Sequence, residues 1–196
     1  MNPVPLFLII VSLPLLLGGC GGDKKVHLEL REGLMYIKGS DTLYTGEHSE
    51  FYENGQKKSE VNYKDGRVDG LSVYWYENGQ KKLERNWKDD KQDGLWVVWY
   101  KNGQKQQEEN YKEGKWDGLS VHWYENGQKR VEVNYKANKE DGLSVYWHEN
   151  GQKKLEETYK DGEIISEKFF NTKGELVGEV FSSPQRSTNT NKNRQP

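Results

Sequence analysis

The chain has 196 residues and nearly balanced charge, 29 Lys plus Arg against 31 Asp plus Glu. That balance argues against a general nucleic-acid binder, which carries a basic excess. Only 33% of residues are hydrophobic, and without the apolar N-terminus the rest falls to roughly 30%, too little for the thick core of a layered enzyme. Aromatic residues reach 12%, with 7 Trp and 12 Tyr, so the composition fits a thin sheet that buries rings and not a disordered polymer.

The first predicted element is a targeting segment over residues 1–19. Leu6 to Leu17 is apolar apart from Ser12 and Pro14, too short for a spanning helix of about 20 residues and suited to the hydrophobic region of a secretory signal. Residues 1–5 carry no Lys or Arg. The string Leu17-Gly18-Gly19-Cys20 then resembles the lipobox of bacterial lipoproteins. The resemblance implies cleavage before Cys20, acylation of its sulfur and new amine, and a mature protein tethered to a membrane of the bacterial envelope without crossing it. Cys20 is the only cysteine, so no intramolecular disulfide can form.

Residues 20–44 are expected to hold the lipidated N-terminus and a capping segment. Val26 to Leu30 alternates, and Arg31-Glu32-Gly33 turns it into Leu34 to Ile37. The repeat array is expected over 45–181. Gly55, Gly79, Gly103, Gly127 and Gly151 are each 24 residues apart, always within Asn-Gly-Gln-Lys. Asp69-Gly70, Asp93-Gly94, Asp117-Gly118 and Asp141-Gly142 recur with the same period, and Thr45-Gly46 is a degenerate first copy. Self-similarity at a fixed period marks a repeat architecture.

Each unit reads as a β-hairpin. In the second, Leu71 to Tyr76 and Lys81 to Lys88 alternate and carry β-branched and aromatic residues, as strands do. Asn54-Gly55, Asn78-Gly79, Asn102-Gly103, Asn126-Gly127 and Asn150-Gly151 are expected as type I′ turns, which need positive φ at both central residues. The opposite turns have Gly66, Asp90, Gly114, Asn138 and Gly162 in one position, the residue types that best accept the left-handed region. A helix fails because glycines recur too often for any 3.6-residue stripe. The predicted fold is all-β: an elongated single antiparallel meander of about ten strands, built from five hairpins.

Alternation sorts the faces. One is expected to be an apolar layer of Leu71, Val73, Trp75 and their equivalents, with indoles repeating every ~9.6 Å. The other is expected to carry Ser72, Tyr74 and Tyr76 beside Glu84 and Asn86. Tyr74, Tyr76, Tyr100 and Tyr124 on that wetter side are the candidate contact residues. Phe169 to Glu175 is a worn copy one residue out of register, and the polar stretch 182–196 reads as a disordered tail.

The unit D-G-L-S-V-Y-W-Y-E-N-G-Q-K-K-x-E-x-N-Y-K resembles the MORN-variant repeat of bacteria, over about residues 36 to 178. The resemblance implies stacked hairpins and a binding or scaffold role. Bacterial members often carry the label of antitoxin component, which an exported lipoprotein is poorly placed to fulfil.

No catalytic constellation appears in the sequence: every prominent polar residue is a repeat position, and His27, His48, His122 and His148 are scattered in phase. The expectation is a non-enzyme without cofactor or metal. The Asp-Gly pairs lack the alternating carboxylates of calcium loops and read as turn chemistry. The row Lys57, Lys58, Lys81, Lys82, Lys105, Lys129, Arg130, Lys153 and Lys154 could favour anionic lipid, but Glu53, Glu77, Glu125 and Glu149 across the turn, with Glu60, Glu84, Glu108, Glu132 and Glu156 on the same strands, favour charge pairing. The expected function is a membrane-anchored protein-interaction or scaffold module, with self-association included. The alternative is recognition of envelope glycan or lipid headgroups by the Trp and Tyr rows.

Overall fold

The computed structural model describes residues 26–182; the targeting segment, Cys20 and the tail beyond residue 182 lie outside the described residues. Strands β1 (Leu28–Arg31) and β2 (Leu34–Ile37) form a hairpin of their own. The long sheet begins with β3 (Gly46–Phe51), β4 (Lys57–Lys64), β5 (Arg67–Trp75), β6 (Lys81–Lys88), β7 (Lys91–Trp99) and β8 (Lys105–Lys112). It continues through β9 (Lys115–Trp116), β10 (Gly118–Trp123), β11 (Lys129–Lys136), β12 (Lys139–Glu140) and β13 (Gly142–Trp147). The last strands are β14 (Lys153–Lys160), β15 (Glu163–Phe170) and β16 (Leu176–Phe181).

These form a 14-stranded antiparallel sheet in which chain neighbours are sheet neighbours. The all-β meander expected from the period is therefore the fold. The strand count is higher than ten because β9 and β12 are separated from β10 and β13 at Asp117 and Asp141, and because the worn copy adds β15 and β16.

The Asn-Gly loops are not the type I′ turns expected there, whereas the opposite turns have the expected left-handed residues. At the Asn-Gly end, the Tyr76 amide donates to the Gln80 carbonyl and the Gly79 amide to the Tyr76 carbonyl. Gly79 has φ 83°, but Asn78 is not among the residues with positive φ. This is a three-residue loop closed by a bulge, with glycine in the left-handed position. The type I′ signature sits at the opposite end, where Asp65 and Gly66 have φ 49° and 77°, and Ala137 and Asn138 have 49° and 69°. Lys64 pairs with Arg67 around it, leaving two loop residues. Asn-Gly satisfies both loop forms, and the length between the closing pairs decides.

The turns are stitched to one another across repeats. Asn54 Oδ1 accepts from the Gln56 amide, and its Nδ2 donates to the Glu77 carbonyl of the next repeat at 3.0 Å. The same pair of bonds recurs at Asn78, Asn102 and Asn126. A Cβ on Gly79 would lie 2.7 Å from Oε1 of Gln56, so glycine also makes room for the turn stacked against it. At the other end Asp69 Oδ2 accepts from the Asp89 amide and Asp93 Oδ2 from the Glu113 amide. These carboxylates cap the neighbouring I′ turn. Gly70 has φ 88° in a bulge where the Asn62 amide group donates to the Leu71 carbonyl at 2.7 Å.

Register corrects the faces. Val73 stands opposite Glu84 and Leu71 opposite Asn86, whereas Ser72 faces Arg85 and Tyr74 faces Leu83. Glu84 and Asn86 thus belong to the leucine face and not beside Ser72. The second-strand rings Tyr63, Trp87, Tyr111, Tyr135 and Tyr159 lie on the Ser72 face. The expected apolar layer also shrinks. Val73, Val97, Val121 and Val145 are buried, while Leu71, Leu95, Leu119 and Leu143 are 37–48% exposed. A single sheet without a second layer shields only its middle row, so the outer leucines stay in water.

Candidate functional site: the two open faces of the sheet

On the leucine face a composite motif repeats. The Lys81 ammonium is bonded to Glu84 on its own strand and lies 5.6 Å from the centre of the Trp99 ring. Lys57 with Glu60 and Trp75, Lys105 with Glu108 and Trp123, and Lys129 with Glu132 and Trp147 repeat it. Each indole is therefore covered by a lysine instead of by another indole. The ion pairs are exposed and individually weak, and each ammonium also makes a cation–π contact with its indole. Lys57, Lys81, Lys105, Lys129 and Lys153 are consequently all spent on internal pairs, as the glutamates on the same strands suggest.

The structure separates the four candidate tyrosines. Tyr76, Tyr100 and Tyr124 stand at strand ends, where their phenols donate to the carbonyls of Trp99, Trp123 and Trp147 at 2.8–2.9 Å. Tyr52 does the same to Trp75 at 2.7 Å. These four rings couple each repeat to the next and stay half-buried. Burial holds the Tyr76 phenol above its ordinary pKa. Tyr74 belongs elsewhere, on the ring face, 5.4 Å from the Arg85 guanidinium. The series stops at His148, whose Nε2 is buried without a partner.

The ring face carries a feature that the repeat pattern does not announce. Trp96, Tyr111, Trp116 and Tyr135 form a run of contacts with centroid spacings of 5.4, 6.2 and 5.2 Å. Beneath it lies Glu109, only 4% exposed. Its Oε2 accepts from the Tyr111 phenol at 2.7 Å and from Trp116 Nε1 at 3.0 Å. Its Oε1 accepts from Gln107 Nε2 and lies 3.2 Å from His122 Nε2. Burial alone would raise this carboxyl, but the His122, Tyr111, Trp116 and Gln107 hydrogen bonds outweigh it and hold the pKa at about 2. Burial and the Glu109 charge in turn push the Tyr111 phenol up.

Glu157 repeats the theme more simply, 8% exposed and accepting from Tyr159 at 3.0 Å. A signal for Glu109 is present in the sequence. Glu109 near the end of one repeat, and Trp116 and His122 near the start of the next, occupy positions that vary between copies: Val133 or Glu157, Val68 or Gln92, and Tyr74 or Tyr146.

Chemically, these faces present rows of half-exposed rings and aliphatic groups on a sheet pinned by repeated hydrogen bonds. Among the described residues, no group of three or more His, Cys, Asp or Glu is placed to hold a metal ion.

Stacked hairpins with one bond pattern reiterated along a sheet define a β-hairpin repeat protein. The chain belongs to the MORN repeat variant family, whose model matches residues 44–65, 68–89, 92–113, 116–137 and 140–161. MORN repeats are generally associated with protein or membrane-lipid interaction. No curated protein matches the chain in sequence.

Proposed function

We propose that this MORN-variant chain is a membrane-tethered interaction module of the bacterial envelope. Acylation of Cys20 would hold it at a membrane, and the repeat sheet would engage a protein partner. The observation that carries the contact role is the row of Leu71, Leu95, Leu119 and Leu143, each 37–48% exposed at a constant interval on a face that the described residues leave uncovered. A periodic apolar strip of this kind suits an extended protein surface. The glycan alternative is weaker on the same face, because a lysine already lies 5.5–5.8 Å from the Trp75, Trp99, Trp123 and Trp147 ring centres. Sugar stacking would compete with that contact.

The contact role is tested by chemical crosslinking in intact envelopes, comparing the parent with a Leu95→Asp/Leu119→Asp variant of equal expression. A crosslinked species present with the parent and lost with the variant supports it; identical patterns refute it. The anchor is tested separately with Cys20→Ser, which should leave the membrane fraction. If it fractionates as the parent does, lipidation is wrong.

A further inference from the structure

The ring face has a second unusual patch, one repeat before Glu109. At the position held by Val61, Glu109, Val133 and Glu157 in other copies stands Arg85. In register it lies between Ser72 on one side and Trp96 on the other. Its guanidinium carbon is 4.8 Å from the Trp87 ring centre and 5.4 Å from that of Tyr74. Trp87 and Trp96 are themselves departures, since tyrosine and serine fill most of the equivalent positions. Three substitutions thus converge on one spot.

The hydrogen-bond inventory of this spot is lopsided. Arg85 Nε, Trp87 Nε1, Trp96 Nε1 and Ser72 Oγ are all buried and have no protein partner. The one side-chain bond of Arg85 among the described residues is long, Nη2 to the Tyr74 hydroxyl at 3.4 Å. Among the described residues no carboxylate forms an ion pair with it, although Arg31 and Arg67 both have one. Buried donors without acceptors, beside an arginine fork held by one long bond, are costly. One repeat on, a closely similar set of indole, phenol and imidazole groups converges on a carboxylate, that of Glu109. The molecule therefore contains both an assembly with its acceptor and one in which most of the donors find none among the described residues.

We infer that the Arg85 patch, framed by Tyr74, Trp87 and Trp96, binds an oxyanion, the carboxylate or phosphate group of a ligand that approaches from the open face. Arginine presents a planar fork matched to both groups, and flanking rings hold it in place. The β1–β2 hairpin lies over the first repeat, where Leu28 and Met35 line a cleft with Val61 and Tyr63 that reaches Tyr74 at the edge of the Arg85 patch. The inference is independent of the leucine-face contact role, which uses the other side of the sheet.

Intrinsic tryptophan fluorescence of the full chain in detergent tests it, titrated at constant ionic strength with D-glucuronate, inorganic phosphate and, as controls, D-glucose and chloride. A saturable change is expected with at least one of the two oxyanions and with neither control. A response to glucuronate points to an acidic sugar as the source, a response to phosphate to a phosphorylated one. Arg85→Gln should weaken the apparent affinity by about tenfold or more, and Lys82→Gln should not change it. Arg85→Lys, which keeps the charge but not the fork, should fall between and carries the test if Arg85→Gln loses its β-sheet circular dichroism. No saturable response to either oxyanion, or equal curves for the parent and the Arg85 variants, overturns the inference.

Discussion

The phenol of Tyr100 donates a 2.9 Å hydrogen bond to the main-chain carbonyl of Trp123, 23 residues ahead. Because Tyr52, Tyr76 and Tyr124 make the same bond to Trp75, Trp99 and Trp147, adjacent repeats are joined at the Asn-Gly end by side chain as well as by strand pairing. Removing one phenol oxygen leaves a half-buried carbonyl without its donor. Tyr100→Phe should cost about 0.5–1.5 kcal/mol, read as a lower midpoint in urea with an unchanged slope. The same substitution at Tyr36, whose phenol makes no such bond, serves as the control and should leave the midpoint in place.

Glu109 makes stability depend on acid. Its carboxyl is held at about 2, against an ordinary value of 4.5, so the folded state binds its proton less readily than the unfolded state. The associated stabilisation is complete above about pH 5 and disappears as pH falls toward 2, amounting to about 3 kcal/mol. Unfolding free energy measured from pH 6 down to pH 2.5 should fall more steeply for the parent than for Glu109→Gln. Parallel curves would show that the carboxylate is not held in its charged form.

Equivalent turn positions differ in what they tolerate. Asp90 and Asn138 occupy the second place of their I′ turns with φ 61° and 69°, so a side chain is acceptable there in principle. At Gly66 a Cβ would lie 2.9 Å from the Met35 carbonyl and 2.7 Å from Leu43 Cδ2, whereas at Gly114 the nearest atom is 3.9 Å away. Gly66→Asn should loosen the β1–β2 hairpin and cost about 1–3 kcal/mol. Gly114→Asn should stay within about 0.5 kcal/mol of the parent. Hydrogen exchange should show lost protection at the Met35 amide, which donates to the Gly66 carbonyl, only in the first variant.

Burial predicts an inverted order for valine and leucine. Val97 is 3% exposed and Leu95 is 37% exposed. Val97→Ala should cost about 1.5–2.5 kcal/mol for its two buried carbons, while Leu95→Ala, which removes three, should cost less than about 1 kcal/mol. Thermal denaturation of the two single variants decides the order. A larger loss for Leu95→Ala would mean that the leucine row is covered.

Much of the array was legible before any coordinates. The 24-residue period, the alternation of Leu71 to Tyr76 and Lys81 to Lys88, and the left-handed residues at Gly66, Asp90, Gly114, Asn138 and Gly162 all follow from local rules of backbone sterics and strand geometry. Those rules act within a few residues, so one strand can be read alone. The contact residues were less legible. Tyr74 and Tyr76 look alike in a strand pattern, yet one lies on the ring face beside Arg85 and the other ties two repeats together.

By itself, then, the sequence determined that the chain folds into repeated antiparallel hairpins, and roughly where each begins and ends. Only the tertiary structure decided which loop takes which turn, that valine and not leucine forms the dry row, and that Glu109 is buried among donors while the half-buried Arg85 has an Nε without an acceptor among the described residues. The reason is physical. Turn type depends on the closing pair across two strands, and burial depends on how many strands flank a row. The satisfaction of a buried charge depends on side chains from strands on either side of it. None of these quantities exists until the strands are side by side.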